Sequence, residues 1–111
     1  MSTEFNAKLE NEFQDELYAL YKKTRDELYY PATFWVALGQ KDWLTHIKNF
    51  IGKGSNSDGI KKLINARRPD LSFEYIIVNN EKYHSLFEEE LEYCKKTLAF
   101  MEKCIKEGIT L

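Results

Sequence analysis

"PDLSFEYIIV", residues Pro69 to Val78, is the stretch whose reading decides the fold. Phe73, Tyr75, Ile76, Ile77 and Val78 favour a strand by propensity, because aromatic and β-branched side chains fit a pleated surface. The same residues also suit a helix. Leu71, Tyr75 and Val78 fall on one helical face and Phe73, Ile76 and Ile77 on another, so a helix here is apolar nearly all round and belongs in the centre of a fold. A lone strand needs a partner, and no second strand is evident anywhere in the chain. The segment therefore reads as a buried helix, and the chain as all-α.

Working outward, Pro69 drives Arg68 toward an extended conformation and ends the helix before it. That helix carries Ile60, Leu63, Ile64 and Arg67 at helical spacing, with Ser57 or Asp58 as its cap. Asp70 is placed to cap the helix that follows. "GKGSNSDG", Gly52 to Gly59, is the clear loop. Further upstream, Phe5, Leu9, Phe13, Leu17, Leu20/Tyr21 and Leu28 recur every three or four residues and predict an amphipathic helix to about Leu28. Tyr29-Tyr30-Pro31 breaks it, and a second helix beginning at Ala32 carries Phe34, Trp35 and Leu38. After Gly39, a third carries Trp43, Leu44, Ile47, Phe50 and Ile51.

Downstream of "NNEKYH", Ser85 with Glu88 reads as a capping box. Glu88, Glu89 and Glu90 suit the positive end of a helix dipole, and Gly108 suits a helix terminus. Phe87, Leu91, Cys94, Leu98, Met101 and Ile105 form a heptad-like seam, with Tyr93, Thr97, Phe100 and Cys104 in a second row beside it. Two rows are wider than a zipper needs, which predicts packing within the chain. The whole reads as a single helical domain over residues 1–111, a compact bundle of five to six helices in which long first and last helices flank short central ones.

Composition agrees with a packed domain: 111 residues, 43% of them hydrophobic, are enough to bury a core. No apolar run approaches the roughly 20 residues of a membrane span, and Met1 to Leu9 carry no signal core. The expectation is a soluble, cytoplasmic protein with no membrane contact. Cys94 and Cys104, about 15 Å apart along one helix, cannot bridge each other and read as free buried thiols. The net charge of −2 provides no global basic field, but its distribution is uneven. Residues 1–30 carry four cations against seven acids, and residues 71–111 carry five against eight. Between them Lys41, Lys48, Lys53, Lys61, Lys62, Arg67 and Arg68 face only Asp42, Asp58 and Asp70.

Catalytic constellations are missing. His46, His84, Cys94 and Cys104 show neither Cys-x-x-Cys nor His-Glu-x-x-His spacing, so no metal or cofactor is expected, and a Cys94–His84 pair lacks a third group to orient it. "GKGS" at Gly52 to Ser55 reads as a polar turn, because no strand feeds it and the earlier glycine of a phosphate loop is absent. Asp70 and Glu74, near Arg68, read as a structural clasp of Arg68, Asp70 and Glu74 in preference to an acid–base pair. A helix-turn-helix would have to offer the greasy residues Phe73 to Val78 to base edges; Lys61, Lys62, Arg67 and Arg68 on the helix before could only meet phosphates without reading sequence.

The expectation is thus a non-enzymatic interaction or regulatory module whose basic central face, Lys48, Lys61, Lys62, Arg67 and Arg68, meets an acidic protein surface. The alternatives are a sequence-nonspecific nucleic-acid binder and a small acidic inhibitor that mimics nucleic acid through Glu88 to Glu90 and the first helix.

The order Tyr21, Tyr30, Thr33-Phe34, Lys48, Ser57-Asp58-Gly59, Leu63, Arg68-x-Asp70-Leu71-Ser72-x-Glu74 and Leu86-Phe87…Glu90-Leu91 resembles a small helical domain widespread in bacteria. That domain is marked by a Ser-x-Gly-x-x-x-Leu helix and an Arg-Leu-Asp-Leu-Ser/Thr-x-Glu turn. The resemblance covers nearly the whole chain and implies helix over residues 72 to 78; it implies no activity. This chain departs from the pattern at Asp42-Trp43, where the family typically has Gly-Gly, and at Ile64, where it has tryptophan. Arg67 stands in place of a glycine and Pro69 in place of a leucine.

Overall fold

Burial of one stripe of the first helix organises the chain. The computed structural model describes residues 3–53 and 57–111, with side chains from residue 6 onward. Phe5 of the apolar stripe, and Gly54 and Ser55 of "GKGS", lie outside those described residues or side chains. In α1 (Thr3–Glu27), Leu9, Phe13, Leu17, Leu20 and Tyr21 are buried along one face, as the three-and-four spacing predicts. The Phe13 ring is the meeting point. It stacks on Trp43 at 6.2 Å and packs edge to face with Tyr83 at 4.8 Å and Phe87 at 5.1 Å, so two segments distant in sequence converge on it.

Short helices fill the space beside α1: α2 (Ala32–Leu38), α3 (Trp43–Lys53), α4 (Asp58–Ala66) and α5 (Phe73–Asn79), followed by the long closing helix α6 (Leu91–Lys106). Two 3-10 segments, Pro69–Leu71 and Glu81–Leu86, lead into and out of α5. The described residues hold six α-helices and no strand, and they form a compact all-α bundle. None of these helices is long and apolar enough to cross a membrane. Cys94 and Cys104 are free and buried.

Residues 73 to 79 are helical, but the face they bury is not the one the apolar pattern predicts. Glu74 and Ile77, three apart, are the buried pair, while Tyr75 is exposed. The cap also moves. Asp70 sits inside the 3-10 turn, and it is the Ser72 hydroxyl that accepts from the Tyr75 N–H at 3.0 Å, while donating to the Pro69 carbonyl at 2.8 Å. The Ser85–Glu88 capping box does not form either: Ser85 lies in the 3-10 segment and α6 starts only at Leu91. Burial of Tyr83 and Phe87 on Phe13 holds that segment in place, and the His84 ring meets the Ile77 carbonyl at 2.9 Å. In α6 the buried stripe is Cys94, Thr97, Leu98, Met101 and Cys104; Tyr93 and Phe100 of the second row are exposed.

Helix α4 ends before Pro69 has any say. Ser57 starts it by accepting from the Ile60 N–H, and Arg67 stops it in the left-handed conformation at φ 61°. The Arg67 N–H reaches the Ile64 carbonyl and the Arg68 N–H reaches the Leu63 carbonyl, the paired bonds of a Schellman turn. Arg68 itself, at φ −127° and ψ 66°, is non-helical but short of the extended conformation expected before a proline. Gly108 closes α6 in the same way at φ 70°. An L-residue costs about 1–2 kcal/mol in the left-handed region, and glycine escapes that penalty. Arg67→Ala is therefore expected to be less stable than Arg67→Gly by about 1 kcal/mol, read from urea midpoints; equal midpoints would deny strain at this turn.

Candidate functional site

Three of the five cations assigned to a common basic face are held by hydrogen bonds or ion pairs within the molecule. The Arg67 guanidinium donates to the carbonyls of Ile109 at 2.7 Å and Ile64 at 3.2 Å, pinning the chain after α6 against the end of α4. Asn65 completes that attachment by exchanging two hydrogen bonds with the backbone of Leu111. Arg68 makes a two-pronged pair with Asp70, both bonds at 3.0 Å, and reaches Glu27 of α1 at 3.1 Å. Lys23 adds to the same knot at 3.7 Å from Asp70. These partners raise the Arg68 pKa and hold the Asp70 carboxyl below its usual range, the Arg68 hydrogen bonds being the largest cause. Lys48 stands 3.9 Å from Glu90 and over the Phe87 ring.

Glu74 is not in the clasp. Arg68 reaches Asp70 and Glu27, whereas Glu74 is turned inward, 1% exposed, and its Oε1 has no hydrogen-bond partner. Burial pushes its carboxyl up to about 7, so near neutral pH it is poised between the acid and the anion. The neighbouring Cys94 thiol is pushed up to about 12, by burial first and then by Glu74 and Glu90, which leaves it unreactive. A second unpartnered polar atom is the Thr24 hydroxyl of α1, on a residue 3% exposed.

Both atoms belong to residues lining one cleft of about 520 Å³. The size is that of a small-molecule site. Its apolar wall comes from α2, α3, α4 and α5, including Phe34, Phe50, Leu63 and Phe73. Phe73 is held between Phe34 at 5.0 Å and Phe50 at 6.2 Å. Charge enters at two places. The Lys62 ammonium lies 4.4 Å over the ring of Tyr29 and the Lys53 ammonium 5.7 Å over the ring of Phe50, and both rings line the cleft. Asp58 and Gly59, at the start of α4, line it as well. Lys61 is exposed beside Lys62, outside the cleft lining.

Residues scattered in sequence gather here: Tyr30, Thr33, Phe34, Ser57, Asp58, Gly59, Leu63, Leu71, Ser72 and Glu74 line the cleft, whereas Tyr21, Lys48, Arg68, Asp70 and Phe87 do not. From the sequence, Lys53 counts among the central cations but not in the basic face, Tyr29 reads only as part of a helix break, and Thr24, inside a polar stretch of α1, carries no signal. Glu74 had a signal, a single acid inside an otherwise apolar turn of helix. Among the described residues no three His, Cys, Asp or Glu side chains come close enough to hold a metal ion. Comparison with protein-family models, with curated proteins and with solved structures finds no match to this chain.

Proposed function

We propose that the chain is a non-enzymatic binding module that engages an acidic protein partner at the lysine-bearing mouth of this cleft. The observation that supports it is the division of labour among the central cations. Arg67, Arg68 and Lys48 are tied to internal partners, whereas Lys53, Lys61 and Lys62 are exposed and, among the described residues, outside any ion pair. The basic face of the sequence reading is thereby narrowed to Lys61 and Lys62, joined by Lys53. Aromatic side chains beside them, Tyr29 and the 58% exposed Tyr30, give such a partner apolar area as well as charge. Ammonium groups at a surface steer an acidic partner and fix its register more than they add raw affinity.

The test is recovery of the tagged chain from nuclease-treated lysate of its host, compared with Lys53→Gln/Lys61→Gln/Lys62→Gln. An acidic protein retained by the parent chain and lost from the triple variant is the expected result. Co-purifying nucleic acid in untreated lysate with no such protein would overturn the reading in favour of a phosphate-contacting binder, whose affinity would fall steeply with salt.

A further inference from the structure

A core that needed only packing has no use for Glu74. An unpaired carboxyl buried in apolar surroundings costs stability whenever it ionises, and an orphaned hydroxyl beside the same cavity adds to that cost. Perturbed, unpartnered groups of this kind concentrate at functional sites, and here both belong to residues that line the same cleft. The lining offers two kinds of chemistry. At Glu74 and Thr24 the missing partner is a donor, since a carboxylate only accepts and Thr24 can accept too. At Lys53 and Lys62 the missing partner is an anion, and the first-turn N–H groups of α4 favour the same sign. Asp58 stands with them, so two lysines face two acids and the lining balances for a ligand of zero net charge. The same lining holds the apolar side chains of Phe34, Phe50, Leu63 and Phe73.

We propose that the cleft binds a small zwitterion with an apolar side chain, of the α-amino acid class, its ammonium held by Glu74 and Thr24 and its carboxylate by Lys53 and Lys62. The proposal rests on the reading of the cleft as the working surface of a binding module and names a ligand for its interior. A phosphate dianion fits less well, because Asp58 and an ionised Glu74 would both oppose it. A simple amine leaves the two lysines unused.

The test is amide chemical-shift titration of the isotopically labelled full chain with L-phenylalanine and L-leucine, with N-acetyl-L-phenylalanine (no ammonium), 2-phenylethylamine (no carboxylate) and guanosine monophosphate as comparators. The expected result is saturable shifts at Gly59 and Glu74 with L-phenylalanine or L-leucine. Loss of either ligand charge, Glu74→Gln or Thr24→Val should each weaken binding about tenfold or more, the worth of one charge-assisted bond. Glu74→Gln removes an uncompensated acid and keeps the shape, so its loss of binding would not reflect unfolding.

The inference is overturned if neither amino acid shifts these residues at about 10 mM, a concentration that reveals even millimolar affinity. It is equally overturned if Glu74→Gln binds as well as the parent, if a comparator lacking one charge matches L-phenylalanine, or if guanosine monophosphate binds tighter. A chain that ignores every probe yet keeps an acidic protein through Lys53, Lys61 and Lys62 would overturn this inference and leave the binding-module reading standing.

Discussion

Glu74→Gln is expected to stabilise the protein by about 3 kcal/mol at about pH 8 and to leave it nearly unchanged at about pH 4. The carboxyl titrates near 4.5 in the unfolded chain and near 7 when buried in the fold. Between those values the unfolded chain has released its proton while the folded chain still holds one, so the folded state loses ground as pH rises. The loss begins above about 4.5, is complete once pH passes about 7, and is flat beyond. Glutamine has nothing to ionise and escapes it. Asp70 acts in the opposite direction: its carboxyl is held low by Arg68, so its contribution is present at neutral pH and fades as pH falls through the carboxylate range. Urea midpoints of the parent and Glu74→Gln, followed from acid to mildly alkaline pH, should therefore diverge only through the upper window. Parallel curves would mean that Glu74 is solvated and carries no burial cost.

Phe13→Ala is expected to cost about 3–5 kcal/mol, the usual range for deleting a fully buried aromatic side chain. Phe13 is the ring on which Trp43 of α3 and Tyr83 and Phe87 of the 3-10 segment and its end converge, so its removal opens a cavity where α1 meets both. A domain of this size has about 5–15 kcal/mol in total, so the variant should be partly unfolded at physiological temperature. Phe100→Ala, at an exposed position of α6, is the control and should change stability by no more than about 0.5 kcal/mol. A Phe13→Ala protein as stable as the Phe100→Ala protein would show that the core is centred elsewhere.

The fold was legible where periodicity was strong. The stripe of α1, the break at Tyr29-Tyr30-Pro31 and the start of α2 at Ala32 can all be read from spacing and proline chemistry. Helix ends were harder, because several side chains can satisfy the same orphan amides. Ser72 caps α5 because the 3-10 turn after Pro69 takes up Asp70 and puts Ser72 at the N-cap position, while Asp70 pairs with Arg68. Ser85 loses its capping role because Tyr83 and Phe87 are drawn onto Phe13.

The candidate site was legible only in pieces. Counting charges along the chain finds the cations and the local Arg68–Asp70 pair, but not the Ile109 carbonyl that takes up Arg67 or the Glu27 carboxylate that joins Arg68, which only the fold brings near. Reading Glu74 as the distal member of an Asp-x-x-x-Glu pair gave it an exposed partner. Its neighbours Phe73 and Ile77 in fact bring that turn of helix into the interior, and the carboxyl goes with them.

The most direct measurement is a carbon-13 NMR titration of the Glu74 side-chain carboxyl in the full chain, alone and with L-phenylalanine. The expected midpoint is near 7 for the chain alone, moved downward by the amino acid as its ammonium stabilises the ionised form. A midpoint at the ordinary value of about 4.5, unmoved by the ligand, would contradict both the buried unpartnered carboxyl and the site built around it.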